Sequence, residues 1–380
     1  MDKIPFKYGK IVAGDNYTDR VDDVRHLYEN FLALTNTTII SPRRWGKSSM
    51  VNRALEILRQ STEDYVILTM DAFNLNSREA FLEGYAKCVS TGFSKHKELK
   101  EFVSDTVPSV IPHEIVVSTG DIFPFELRIN LTTGRKEKCF EDILNLTEKM
   151  AVRKGKKVVV CIDEFQVVAD YEDSLAFQRT LRACWQRHEH VAYCLLGSKY
   201  NLMAELVGKP KMPLYKFGDV FFLGKIAAAD WFEFVTKRFR DTGKEIASDA
   251  VSRLLELTEC HSYYVQQLAQ LTWFRTRDRA EVKDVEDAFA GLLDQLSMLF
   301  AQITEGLTLS QTEFLRGLCD GVTRWNAQET LGSYRVGSAA NVKNIKNTLE
   351  KKEITTSFPD RIELQDPVYK YWLVHCFFRP

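Results

Sequence analysis

Ser41-Pro42-Arg43-Arg44-Trp45-Gly46-Lys47-Ser48 is the stretch on which the fold turns. Before it, Thr38-Ile39-Ile40 is β-branched and apolar, as the end of a buried strand is. After it, residues 48–59 place Met50, Val51, Ala54, Leu55 and Leu58 at helical spacing. A loop between strand and helix is the context that the phosphate-binding pattern G-x-x-x-x-G-K-[ST] requires. Amides of such a loop and of the helix N-terminus favour an anion. Gly46 lets the backbone approach phosphate, Lys47 brings a cation to the β- and γ-phosphates, and the Ser48 hydroxyl suits Mg²⁺. The expected contact set is Ser41, Pro42, Arg43, Arg44, Trp45, Gly46, Lys47, Ser48 and Ser49. Ser41 stands where the pattern has its first glycine, a position that often needs positive φ; serine is small enough to tolerate a modest distortion, and binding is expected to survive in weakened form. The plainer alternative is a chance match in a basic turn.

The run Val158-Val159-Val160-Cys161-Ile162-Asp163-Glu164 suits a parallel strand buried on both faces. Its carboxylates fall at the C-terminal end, the edge where open α/β sheets bind ligands. Asp163 is the better magnesium partner, and Glu164 the better group to polarise an attacking water. The alternative is an acidic pair that merely starts a loop. A third strand, through Val191-Ala192-Tyr193-Cys194-Leu195-Leu196-Gly197, would bring Ser198 to the same edge, to sense the γ-phosphate or simply to end the strand. Residues 65–71 and 219–223 supply two more strands, giving an α/β class with a parallel core.

Taken together, these motifs resemble the prokaryotic archaeal-type ATPase family, on the AAA+/STAND side of the P-loop NTPases and distantly related to replication-initiator ATPases. The resemblance covers nearly the whole chain. Asn16-Tyr17-Thr18-Asp19-Arg20 matches the family's opening motif, and Pro42-Arg43-Arg44 with Gly46-Lys47-Ser48 its phosphate loop. Ile162-Asp163-Glu164-Phe165-Gln166, Gly197-Ser198-Lys199 and Asp366-Pro367-Val368-Tyr369 with Trp372-Leu373 match three further motifs. The resemblance implies a five-stranded parallel core, a helical lid and a C-terminal winged helix, with ATP and Mg²⁺ as ligands. Two departures stand out. Many relatives have an arginine after Pro-Leu-Tyr, a candidate finger, where this chain reads Pro213-Leu214-Tyr215-Lys216-Phe217. In the lid, Cys260-His261-Ser262-Tyr263 replaces G-x-P-Y.

The expected organisation is a P-loop core over 1–225, with an insertion at about 102–131, a helical lid over 226–300 and a winged helix over 301–380. Within the insertion, Ile115-Val116-Val117 and Leu127-Arg128-Ile129 suggest a hairpin, serving as interaction surface or packing flap. Four lid helices present the apolar sets Trp231, Phe232, Val235, Phe239; Val251, Leu254, Leu255, Leu257; Val265, Leu268, Ala269, Leu271; and Val285, Phe289, Leu292, Leu293. His261 opens the third, as a helix cap or a residue near nucleotide. In the last domain, Ser338 caps a helix carrying Asn341, Lys343, Asn344, Lys346 and Asn347, a set able to contact bases and phosphates. A solvated helix face or a protein-docking module is the alternative. Residues 354–358 and 361–364, turning at Pro359-Asp360, read as the wing.

Composition agrees with a globular protein of 380 residues, 45% hydrophobic and 12% aromatic, with a formal net charge of −1 that gives no global nucleic-acid signature. Neither a signal peptide nor a bilayer-spanning apolar run is legible. The eight cysteines lack C-x-x-C spacing and read as reduced core thiols, not zinc ligands, in a cytoplasmic protein. The expectation is a slow, Mg²⁺-dependent ATPase acting as a nucleotide-controlled switch. The alternatives are an ATP-regulated DNA-binding protein and a protein-interaction scaffold that retains nucleotide; ATP and ADP are the expected ligands.

Overall fold

A computed structural model of the chain describes residues 4–12, 14, 17–18, 20–93, 136–325 and 327–378. Asn16, Asp19 and the expected hairpin of the insertion lie outside the described residues. Two compact units are present, one formed by Val21–Ser41 and Met50–Leu223, the other by the described parts of Met1–Arg20, Pro42–Ser49 and Gly224–Pro380.

The first unit is a parallel sheet flanked by helices. In chain order it contains α1 (Val21–Leu32), β1 (Thr37–Ile40), most of α2 (Lys47–Ser61), β2 (Tyr65–Asp71), α3 (Arg78–Gly92), α4 (Lys136–Leu144), α5 (Leu146–Lys154), β3 (Lys157–Asp163), α6 (Ser174–Trp185), β4 (Val191–Gly197), α7 (Tyr200–Gly208) and β5 (Asp219–Phe222). Among the described residues the sheet has five strands in the order β2-β3-β4-β1-β5, all pairs parallel. β4 is buried throughout and β3 from Val158 to Ile162, so continuous apolar runs are what a sheet covered on both faces demands. The chain leaves β1 towards β2 and later crosses β1 to reach β5. The C-terminal edge beside β1 and β4 is therefore a topological switch point. Ile40 pairs in register with Gly197, and Asp71 with Asp163, so β1, β3 and β4 end along one edge.

Aromatic packing fixes this core. Trp185 stacks on Tyr193 at 4.2 Å, and Phe81, Tyr85 and Phe165 surround them. Buried hydroxyls need partners. The Tyr85 hydroxyl meets Thr147 at 2.6 Å and Tyr193 at 3.0 Å. Tyr193 meets His188 Nδ1 at 2.9 Å, and His188 Nε2 meets Asn145 Oδ1 at 2.9 Å. Asn145 can only accept through Oδ1, so Nε2 carries the proton and Nδ1 accepts from Tyr193. Burial pushes the His188 imidazole down to about 4.

The second unit carries α8 (Ala228–Arg240), α9 (Ser248–Thr258), α10 (Ser262–Arg275) and α11 (Val282–Glu305). The apolar faces are mostly those the spacing predicts, but Phe234 takes a buried position in α8 while Phe232, Leu271 and Leu293 are half-buried. Phe6 packs against Phe239 at 5.6 Å, and buried Arg238 donates to the Pro5 carbonyl at 2.8 Å, so the first described residues are bound to these helices. Next come α12 (Leu309–Cys319), α13 (Gln328–Ser333), α14 (Ala339–Lys351) and an antiparallel hairpin, β6 (Thr355–Ser357) with β7 (Ile362–Leu364). Three helices followed by a hairpin is the element order of a winged helix. The caps explain the boundaries. Thr308 forms a capping box with Gln311, the Ser338 hydroxyl accepts from Asn341 N, and Asp366 accepts from two amides opening α15 (Pro367–Trp372), with Pro367 at its first turn.

Candidate functional site

The phosphate loop belongs to the second unit. It turns through two left-handed residues, Arg44 at φ 65° and Gly46 at φ 97°. Such turns curl successive amides into a concave, anion-favouring surface. A side chain at Gly46 would meet nothing closer than 3.9 Å, so glycine is needed there for its backbone angle, not for space. Ser41 is not among the positive-φ residues; its amide instead donates to the Gly197 carbonyl at 3.2 Å, extending the β1–β4 ladder. Serine therefore needs no distortion at this position. No acidic residue occupies the first turn of α2, which begins at Lys47, leaving the helix end fit for an anion. Lys47 is 7% exposed and Ser49 accepts from Val12 N at 3.1 Å, tying the opening segment to the loop.

The rest of the loop is held by side chains distant in sequence. Arg20 donates to the Trp45 carbonyl at 2.8 Å and to the Gly224 carbonyl at 2.7 Å. The Ser262 hydroxyl also reaches the Trp45 carbonyl, at 3.4 Å. The Arg44 guanidinium lies 4.6 Å over the Tyr263 ring. Trp45, 6% exposed, stacks on Phe358 beside the hairpin at 6.3 Å and 23°, with the Lys225 ammonium 5.5 Å from its ring. Lys225 in turn faces Glu259 at 3.7 Å and Glu363 at 3.9 Å. Arg43 pairs with Glu353, just past α14, at 2.8 Å. Loop, lid and hairpin are thus one packed assembly inside the second unit.

His261 takes the N-cap position of α10, but its ring makes no capping hydrogen bond, so the helix-cap reading fails. It is 3% exposed and its Nδ1 is without a partner. Burial first, then the cations Lys225 and Arg44, push its imidazole down to about 3, so it is neutral at physiological pH.

In the first unit, Asp163 ends β3 and its Oδ1 accepts from Glu164 N at 2.9 Å. Glu164 has left-handed backbone (φ 52°, ψ 36°) and opens a tight helical turn, Phe165–Asp170. Its Oε2 accepts from Ser198 Oγ at 2.7 Å and from Gln166 Nε2. The expectation that Ser198 shares an edge with the carboxylates is met, and the contact is direct. Gln166 was legible only as part of a motif; no periodicity marks it as a partner of Glu164. The Pro213–Phe217 stretch is fastened from behind, with Arg182 Nη1 donating to the carbonyls of Pro213 (2.7 Å) and Tyr215 (2.6 Å). Lys216 is exposed there.

On α14, Val342, Ile345 and Leu349 face the core, while Lys343, Asn344 and Asn347 are exposed and Lys346 is half-buried. The Asn341 amide is already spent on the Val336 carbonyl at 2.8 Å. Among the described residues no group of three or more His, Cys, Asp and Glu is placed to hold a metal ion, and no helix is long and apolar enough to cross a membrane.

No protein-family model matches the sequence, and no curated protein matches it. Solved structures do share its fold. A Walker-type ATPase of Pyrococcus abyssi is 15% identical, with 98% of this chain and 100% of that chain covered at a TM-score of 0.66. The ORC2 protein of Aeropyrum pernix, in ADPNP–ADP complexes, is 13% identical over 97% and 94% at 0.58. The ORC1 protein of Aeropyrum pernix, in complex with DNA, is 13% identical over 96% and 94% at 0.51. Similarity at this level is a statement about fold.

Proposed function

We propose that this chain, which has the fold of the AAA+ P-loop ATPases, binds ATP with Mg²⁺, hydrolyses it slowly and uses the nucleotide state to control its winged helix. The observation that carries this reading is the packing of the phosphate loop on the winged helix, through Arg43–Glu353 beside α14 and Trp45–Phe358 at the hairpin. A ligand that reshapes the loop must alter those contacts, and a partner that takes the hairpin must alter the loop. That reciprocity is what a switch requires. In this reading Lys47 and the loop amides hold the phosphates, Ser48 and Asp163 hold Mg²⁺, Glu164 polarises water and Ser198 senses the γ-phosphate. When bound, the metal ion neutralises charge on the phosphate oxygens. Slow turnover follows from Lys216, a point charge in place of an arginine fork. A cytoplasmic location is part of the proposal, supported by eight free cysteines, four of them buried. The test is calorimetry of MgATP and MgADP binding to the wild type and to Lys47→Ala. Loss of binding in a folded variant is expected, and unchanged affinity refutes the phosphate-loop assignment.

A second reading has its own support. The ORC1 protein of Aeropyrum pernix was solved with DNA, and α14 here exposes Lys343, Asn344, Asn347 and, at its end, Lys351. If the winged helix takes duplex DNA, those residues make the contact. Fluorescence anisotropy at two salt concentrations decides it, since phosphate contacts weaken steeply with salt. No binding at low salt leaves protein docking as the role of the winged helix.

A further inference from the structure

Gln166 is buried to 2% exposure in the first unit, on the turn Phe165–Asp170, whose Phe165 and Val168 are sunk in the core. Its Nε2 donates to Glu164 Oε2, while its Oε1 has no hydrogen-bond partner. A buried amide with an unspent acceptor is costly, and methionine or leucine would fill the same space without that cost. The fold nevertheless makes room for the amide. At Gly197 an added Cβ would stand 2.7 Å from Gln166 Oε1 and 2.1 Å from Met203 Cγ. What distinguishes glutamine from an apolar residue at this position is its donor, and that donor is aimed at Glu164.

We infer that Gln166 is a positioning residue, which together with Ser198 fixes the orientation of the Glu164 carboxylate. Two donors converge on one oxygen, Oε2. They oppose rotation of a side chain whose backbone is already confined to the left-handed region. Gln166 acts through Glu164 and is not itself a reacting group. The inference rests on the ATPase reading above and deepens it.

The experiment uses the full chain with MgATP and measures nucleotide affinity and kcat for Gln166→Met and Ser198→Ala, each alone and in a Glu164→Gln background. Removing one donor in Gln166→Met should leave affinity within about twofold and lower kcat about tenfold, with no further loss once Glu164 is already glutamine. Ser198→Ala removes the other donor and should resemble Gln166→Met, which keeps the test readable if one variant misfolds. A merely structural glutamine predicts the same fractional loss of kcat in the wild-type and Glu164→Gln backgrounds. An equal loss in the two backgrounds, or no loss in a folded Gln166→Met, overturns the inference alone. Wild-type turnover in Glu164→Gln, or no turnover in the wild type, overturns the ATPase reading and this inference with it.

Discussion

Replacing Glu353 by glutamine should tighten nucleotide binding, although Glu353 lies outside the phosphate loop. Glu353 Oε2 stands 2.8 Å from Arg43 Nη1, with the two side chains 26% and 43% exposed. The carboxylate therefore occupies a loop cation and sets a negative charge beside a loop proposed to take an anion. A pair this open is itself worth only about 0–1 kcal/mol to stability, so the fold should survive its loss. For the ligand, a released guanidinium able to meet phosphate contributes about 1.5–3 kcal/mol before solvent screening, and about 1 kcal/mol after discounting for exposure. That is roughly a fivefold fall in Kd for MgADP or a non-hydrolysable ATP analogue. Glutamine keeps the length of the side chain and, at φ 57°, is strained no more than glutamate. Calorimetry at low and high salt supplies the measurement, and the gain should shrink as salt rises. The control is a double-mutant cycle. In an Arg43→Met background Glu353→Gln should change nothing, because its effect runs through that guanidinium. An unchanged or weaker affinity, or an equal gain without Arg43, refutes the reasoning.

Other perturbations separate the remaining parts. Glu164→Gln should retain ATP binding and lose about 10²–10⁴ in turnover, read by phosphate release. The purified, dilute wild type should turn over well below once per second; many turnovers per second would remove the argument from Lys216. Stability should fall as pH drops from about 6.5, because unfolding lets His188 and His261 take protons that the folded chain refuses until about 4 and about 3. For His188 this amounts to on the order of 2–3 kcal/mol, and His188→Gln should flatten the acid limb of a urea-melting series. Phe358→Ala should expose Trp45, shifting its fluorescence to the red without unfolding the sheet unit, and an unshifted spectrum would deny the stacking.

The strands were legible because a sheet covered on both faces leaves a one-dimensional trace. Residues 158–162 and 191–197 are apolar without alternation, and they are buried without alternation. The cap at Ser338 was legible for the same reason, since its hydroxyl acts on an amide three residues away. The backbone at position 41 was not legible, because the pattern supplies a residue type and not an angle. The backbone here continues the ladder to Gly197, and the left-handed turns fall at Arg44 and Gly46.

What escaped the sequence are contacts between residues far apart in the chain whose types are individually unremarkable. Arg43 and Arg44 form a doublet in sequence but have separate fates, one paired with Glu353 and the other lying over Tyr263. Trp45 would be an odd residue to leave in a solvated loop, and its burial against Phe358 accounts for it. The same holds for Gln166, whose meaning depends on a carboxylate two residues away being turned back by left-handed backbone. In each case local pattern fixes where a side chain starts, and only packing fixes what its polar end meets. The phosphate-loop motif is the basis of the ligand proposed here, while the neighbours of Arg43 and Trp45 determine what loop movement costs and which surface it disturbs. Here those neighbours are Glu353 and Phe358, which flank the hairpin, so the contacts that hold the loop are the ones through which a partner on the winged helix would act on it.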